Sequence, residues 1–303
     1  FAYNSLNILS KFKITDLAFG VELANLEKLL EMKKIIDSNI FNEKIKEKLD
    51  LGFSYSSSSY QVLKELTNDK ELLENFTLPN NTLGIQYLRS IEKLGKKIQP
   101  TVIQRIKNNY YDTVATSEIA SATSLRILLE NDESIKKYVP DFGFEIDYQN
   151  PKAIDEKLLL LLRKKFIEHD LTYFNSIFGV NEGIENRIAS FLFKVNSYQE
   201  LINNIKTKRY TTNKIKRLLL HIIMETSNKY FNKPNYYLRI LGANQTGLNY
   251  LNTLPKATKE KIITSFKNLE ENKLVKMELK ATKLYGLLTN KINLYLEEYK
   301  VPI

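Results

Sequence analysis

The sequence has no cysteine, which removes disulfides, thiolate metal sites and cysteine nucleophiles together and suits a reducing, cytoplasmic compartment. Histidine is nearly absent as well, with only His169 and His221. His169 follows an amphipathic stretch beside Asp170, and His221 lies in the apolar run Leu218-Leu-Leu-His-Ile-Ile223, so both read as structural. Neither stands at metal-ligand spacing, and no metal site is expected. The leucine run from Leu158 to Leu162 is closed by Lys157 and Arg163, far short of the roughly 20 apolar residues a membrane span needs. No signal-peptide pattern opens the chain, and no membrane partner is expected. A glycine-rich Walker or dinucleotide fingerprint is also missing, and no internal repeat is present.

What is present is a chain of 303 residues, 43% hydrophobic, long enough for one large or two ordinary domains around a real core. Its net charge of +10 calls for a polyanionic partner. That charge is unevenly placed. Residues 1–200 carry 26 basic and 28 acidic side chains, whereas residues 201–240 carry nine basic ones and only Glu225. Up to about residue 150, β-type runs alternate with helical ones. Asp16 to Val21 and Lys97 to Arg105 read as strands, Leu23 to Ile36 and Thr82 to Leu94 as helices, the latter after a Pro79-Asn-Asn81 breaker. Strand and helix in alternation predict an α/β fold with a doubly wound, Rossmann-like parallel sheet. From Ala153 the spacing is mostly helical, over 153–168, 182–194, 197–205, 212–227 and 268–289, with one β-type interruption at Tyr236 to Leu241. A boundary near Asn150-Pro151 divides a domain over 1–150 from a basic helical domain over 151–303.

Three strand-end loops are either ordinary turn chemistry or converge on one ligand crevice, since open α/β sheets bind at the carboxyl ends of their strands. They hold Gly20, the Asn80-Asn81 pair and Gln104-Arg105. Further on, Ile119-Ala-Ser-Ala-Thr-Ser-Leu-Arg126 places small hydroxyl residues before an apolar-periodic helix. Ser121 either caps that helix, or the free N–H groups there hold phosphates together with Ser121, Thr123 and Arg126. The densest basic stretch is Lys206-Thr-Lys-Arg-Tyr210 followed by Lys214, Lys216 and Arg217. A solvated helix face would account for it. The near absence of balancing acids, and the neighbouring Tyr210, Tyr236, Tyr237 and Arg239, favour RNA binding instead.

In order along the chain, Phe19-Gly-Val-Glu22, Pro79-Asn-Asn-Thr-Leu-Gly-Ile-Gln-Tyr87, Gln104-Arg-Ile106, Tyr110-Tyr-Asp112, Ala120-Ser-Ala-Thr-Ser-Leu-Arg126, Asn181-Glu-Gly-Ile-Glu-Asn-Arg187, Lys208-Arg-Tyr-Thr211 with Arg217-Leu-Leu-Leu-His221, and Tyr237-Leu-Arg-Ile-Leu-Gly242 form a series. Taken together they resemble the bacterial tRNA(Met) cytidine acetate ligases, relatives of the adenylyl-transferring nucleotidyltransferases. The resemblance implies that ATP and acetate form an acetyl-adenylate with release of pyrophosphate. The exocyclic amine of the wobble cytidine in elongator tRNA(Met) then takes the acetyl group. Charge stabilisation on the phosphates is the main demand of the first step, so helix N-termini, arginine and Mg2+ are its expected agents. Gly20, Asn80, Asn81 and Arg105 would contact ATP, with Ser121, Thr123 and Arg126 near its phosphates. Lys206, Lys208, Arg209, Tyr210, Lys214, Lys216, Arg217 and Arg239 would lie on the tRNA side.

The departures from the family are equally specific. Tyr111 stands where the family has histidine, and Thr212 and Lys214 stand where arginines are expected. Lysine for arginine keeps charge and loses the planar fork. The His-x-Gly-His motif that the family places against the α-phosphate does not occur, so no catalytic residue is assigned. The chain is therefore expected to be a truncated form, inactive by itself. The alternatives are a degenerate, non-catalytic RNA-binding protein and a helical protein whose basic region meets an acidic partner.

Overall fold

The computed structural model describes residues 1–105, 120–141, 149–230, 237–269 and 271–300. The chain divides into two compact units, Phe1–Tyr148 and Gln149–Ile303. The Tyr110-Tyr-Asp112 string, Ile106, Ile119 and Tyr236 lie outside the described residues.

The first unit begins with helix α1 (Ala2–Leu9) and strand β1 (Asp16–Val21), and then runs through α2 (Leu26–Asp37), α3 (Asn39–Asp50), α4 (Tyr55–Leu66), α5 (Lys70–Asn75) and α6 (Pro79–Leu94) to strand β2 (Gln99–Gln104); helix α7 (Ala122–Glu130) follows. The two strands pair in parallel, with Asp16 opposite Gln99 and Val21 opposite Gln104. Alternation along β1 turns Phe19 and Val21 inward, where they join Leu29, Met32, Phe41, Ile85 and Leu88 in one core. Ala18, Gly20, Thr101 and Ile103 are exposed. Asn25, Ser38, Ser54 and Asp69 each cap the helix that follows with a side-chain oxygen.

Helix α6 departs from the expected boundary. It begins at Pro79, because proline at the first helical position loses only an N–H that would be orphaned anyway. Asn80 and Asn81 therefore sit within its first turn. Gly84 lets α6 lie directly on β1, since a Cβ there would come within 2.8 Å of Phe19 Cε2 and 3.0 Å of Val21 Cγ1.

The second unit opens with α8 (Pro151–Glu168), α9 (Ile184–Leu192), α10 (Tyr198–Ile205) and α11 (Thr212–Met224). In α11 the buried residues are Ile215, Leu218, Leu219, Ile222 and Ile223, a stripe at helical spacing that faces the other three. They meet Leu158, Leu162, Phe174, Ile188, Leu192 and Leu201 in a single core. Strand β3 (Leu238–Arg239), α12 (Gln245–Thr253), α13 (Lys256–Lys259), strand β4 (Ile262–Ile263), α14 (Lys273–Leu288) and a 3-10 segment (Ile292–Tyr299) complete the unit. A smaller core of Phe266, Val275 and Leu279 holds this part together. Among the described residues no helix is long and apolar enough to cross a membrane.

One carboxylate ties much of the unit together. Glu225 ends α11 in the left-handed region, with φ 52. It accepts hydrogen bonds from Lys165 Nζ at 2.7 Å, Lys280 Nζ at 2.8 Å and the Tyr173 hydroxyl at 3.1 Å. Burial by itself would raise its pKa, but the two lysines outweigh burial and hold the carboxyl at about 2. His169 stacks on Tyr173 with ring centroids 3.8 Å apart, and His221 meets Phe178 edge-on. Both histidines thus pack against neighbouring rings.

Candidate nucleotide site and nucleic-acid interface

The carboxyl ends of β1 and β2 are joined to the start of α6 by a closed set of hydrogen bonds. Glu22, the first residue after β1, receives the backbone N–H groups of Asn80 at 3.2 Å and Asn81 at 2.8 Å, and Asn80 Nδ2 at 2.6 Å. Helix α6 has no side-chain cap of its own at Leu78. The Glu22 carboxylate fills that role from another element, and its charge complements the helix dipole. Asn81 returns the favour. Its Oδ1 accepts the N–H groups of Glu22 at 2.9 Å and Leu23 at 3.0 Å, and its Nδ2 donates to the Asn75 carbonyl at 3.0 Å. Asn81 is fully buried, so this residue, expected at the ligand, braces the loop instead.

The next strand end is fastened to the same loop. Gln104 Nε2 donates to the Glu22 carbonyl at 2.7 Å, and its Oε1 accepts from the Ala24 N–H at 3.1 Å. Arg105 N donates to the Val21 carbonyl at 2.9 Å, leaving its side chain exposed at the end of β2. Gly20 lies beside it, and a Cβ at Gly20 would stand 3.4 Å from Arg105 Cγ. Gly20, Asn80, Asn81 and Arg105 are thus brought to one end of the parallel pair. The expectation placed Gln104 in a strand-end loop and Glu22 in the Phe19-Gly-Val-Glu22 string but gave neither a role in the site.

Ser121 caps α7 by accepting from Ser124 N at 3.0 Å. Thr123 and Arg126 lie in the first two turns of the same helix, with Arg126 exposed. Among the described residues, no group of three or more His, Cys, Asp or Glu side chains gathers to hold a metal ion.

In the second unit the basic stretch forms the loop between α10 and α11 and the first turns of α11. Lys206, Lys208, Arg209, Lys216 and Arg217 are exposed, and Lys214 is half-buried. Tyr210 differs from the expectation of a ring offered to bases. It is 5% exposed, and its hydroxyl donates to the Asn181 side chain and lies 3.1 Å from the Asn181 carbonyl. Burial raises its pKa, and Lys214 Nζ covers the ring at 4.0 Å from its centroid. Arg209 pairs with Glu182 at 2.6 Å. The Asn181–Arg187 string and the basic loop, separate in sequence, are therefore one structure. Arg187 completes the joint by donating to the carbonyls of Ile205 at 3.1 Å and Asn204 at 2.8 Å, a cation at the end of α10.

Arg239, expected on the tRNA side, is held by partners within the unit. Its guanidinium is paired with the Glu298 carboxylate and lies 4.4 Å from the centroid of the Phe266 ring. Phe266 belongs to the smaller core, so the pair is held against that core at the edge of an open cleft.

Comparison with known proteins places the chain in a family. The family model described as HIGH Nucleotidyl Transferase matches residues 1–300. A tRNA(Met) cytidine acetate ligase of Thermoanaerobacter sp. (strain X514) is 32% identical over 307 residues, covering 95% of this chain and 75% of the relative. The same enzyme of Clostridium kluyveri is 31% identical over 315 residues, covering 96% and 76%. A crystal structure of Thermotoga maritima TmcAL in its apo form superposes with a TM-score of 0.83 at 23% identity, over 98% of this chain and 78% of that one. The same protein bound with alpha-thio ATP gives 0.81 at 22% identity, over 100% and 79%.

Proposed function

The chain belongs to the tRNA(Met) cytidine acetate ligase family of HIGH nucleotidyl transferases, and from that premise we propose that it carries the strand-end part of an ATP site and the RNA-binding part of an acetate ligase of the cytoplasm. In this reaction an acetate oxygen attacks the α-phosphorus of ATP and pyrophosphate leaves. The exocyclic amine of the wobble cytidine in elongator tRNA(Met) then attacks the acetyl carbonyl, and AMP leaves. The observation that carries the proposal is the convergence of Gly20, Asn80 and Arg105 at one end of a parallel pair, held there by Glu22, Asn81 and Gln104.

Each residue has a physical role in this scheme. Gly20 lets a nucleotide approach the backbone of β1. Asn80 offers its amide oxygen, since its Nδ2 is given to Glu22. Arg105 supplies an exposed guanidinium for phosphate oxygens. The start of α7, with Ser121, Thr123 and Arg126, suits a further phosphate contact. The residues described provide no acidic set for Mg2+, and no step is assigned to it. Lys206, Lys208, Arg209, Lys216 and Arg217 would contact the tRNA backbone.

The His-x-Gly-His motif is not in these 303 residues, so the polypeptide by itself should bind without turning over. Incubation with tRNA(Met) transcript, ATP and labelled acetate tests this. The expected result is tRNA binding that weakens with salt, a higher melting temperature with ATP and no acetate-dependent pyrophosphate. Turnover by this polypeptide would refute the inactivity. Tight tRNA binding with no thermal effect of ATP would favour the degenerate, non-catalytic RNA-binding protein.

A further inference from the structure

Away from the basic loop, the second unit has an open cleft of about 540 Å³ between β3, α14 and the 3-10 segment Ile292–Tyr299. It exists because the chain reverses sharply after α14. Lys291 N donates to the Gly286 carbonyl at 2.7 Å, and a Cβ at Gly286 would come within 2.5 Å of the Lys291 carbonyl oxygen. Only glycine permits that approach, and it folds the 3-10 segment back along the helix.

The lining is of two kinds. Tyr285 and Leu241 are large apolar side chains left 48% and 77% exposed. Below them lie the paired Arg239 and Glu298, with Thr282 Oγ1 donating to Glu298 at 2.7 Å. Glu297 adds a second, more exposed carboxylate, which Lys300 Nζ meets at 2.7 Å from the solvent-exposed end of the segment. The cation that lines the cleft, Arg239, is already paired with Glu298, so a phosphate finds no unpaired positive charge among the lining residues, although the unit as a whole carries 26 basic against 14 acidic side chains. A nucleobase fits the arrangement. Its face can stack on Tyr285 and Leu241, and an exocyclic amine can donate to a carboxylate, as cytosine N4 does to glutamate.

We infer that this cleft binds an unpaired, amine-bearing base of the RNA that the basic loop holds by its backbone. The inference rests on the RNA-binding role proposed above. Fluorescence anisotropy of labelled tRNA(Met) transcript with the full 303-residue chain tests it. Tyr285→Ala should weaken binding about tenfold, the scale of one lost stacking contact, without changing the salt slope, because no phosphate contact is lost. With hairpin RNAs differing only in unpaired cytidine or uridine, the wild type should prefer cytidine and Glu297→Gln should level the two. Leu241→Ala, at a more exposed position, checks that the effect is not a folding defect. Unchanged affinity in both Tyr285→Ala and Leu241→Ala, with normal salt dependence in the wild type, overturns the cleft and leaves the basic loop standing. No tRNA binding by the wild type overturns the underlying role as well. A dimer that Tyr285→Ala dissociates without touching RNA affinity makes the cleft a protein interface and overturns the inference.

Discussion

The two units prepare for polyanions in opposite ways. The first has 19 basic and 21 acidic side chains, and its candidate site is made of neutral amides, one glycine, one arginine and a carboxylate given to the start of α6. The second has a surplus of 12 positive charges and presents most of its candidate residues on one loop and the helix after it. Positioned hydrogen bonds depend on angle and fail when one partner moves. Charge spread over a flexible surface tolerates the exchange of lysine for arginine and is tuned by salt. A nucleotide of fixed shape suits the first device, and a long backbone suits the second.

The sharpest way to break this contrast is at Asn81. Asn81→Leu leaves the backbone donors of Glu22 and Leu23 without partners in a half-buried place, each costing about 1–3 kcal/mol, while the Asn75 carbonyl keeps the Leu78 N–H. The first unit should lose several kcal/mol of stability, seen as an early transition in calorimetry, while the second melts as before. No single substitution in the basic loop should do anything comparable to its own unit.

Glu225 is the exception within the charged unit, because there a charge serves stability. Its carboxyl drops from the ordinary value near 4.5 to about 2 on folding. A depressed pKa stabilises the native form fully above pH 4.5, and that contribution is lost as pH falls toward 2. The shift corresponds to about 3 kcal/mol. Acid titration followed by circular dichroism should show the second unit weakening over that window, and Glu225→Gln should flatten the dependence while lowering stability at pH 7.

The smallest effects belong to the loop itself. Lys208→Ala and Arg217→Ala should each weaken tRNA binding several-fold and reduce the slope of log affinity against log salt by about 1, with melting unchanged. A change in melting temperature would show that these cations, too, are structural.

Much of this contrast was readable from the chain alone. The strands at Asp16 and Gln99, the helical second half and the basic stretch follow from local periodicity and charge, and the structure has them. What could not be read depends on distant partners. Glu22 caps a helix 58 residues away, and nothing local distinguishes it from any other surface glutamate. Tyr210 stands among lysines and looked like a stacking ring, but its burial is decided by Asn181, 29 residues earlier. Helix α12 escaped notice because it is only nine residues long, carries Gly247 in its first turn and offers just Leu248 and Leu251 at helical spacing.

The reciprocal arrangement of Glu22 and Asn81 has a consequence for inheritance. Each side chain satisfies the other's backbone, so a change at either alone strands the partner's groups, whereas a joint change to another matched pair need not. Across relatives the two positions should be kept or exchanged together. A double-mutant cycle should find a coupling energy far above that of two residues that merely neighbour each other.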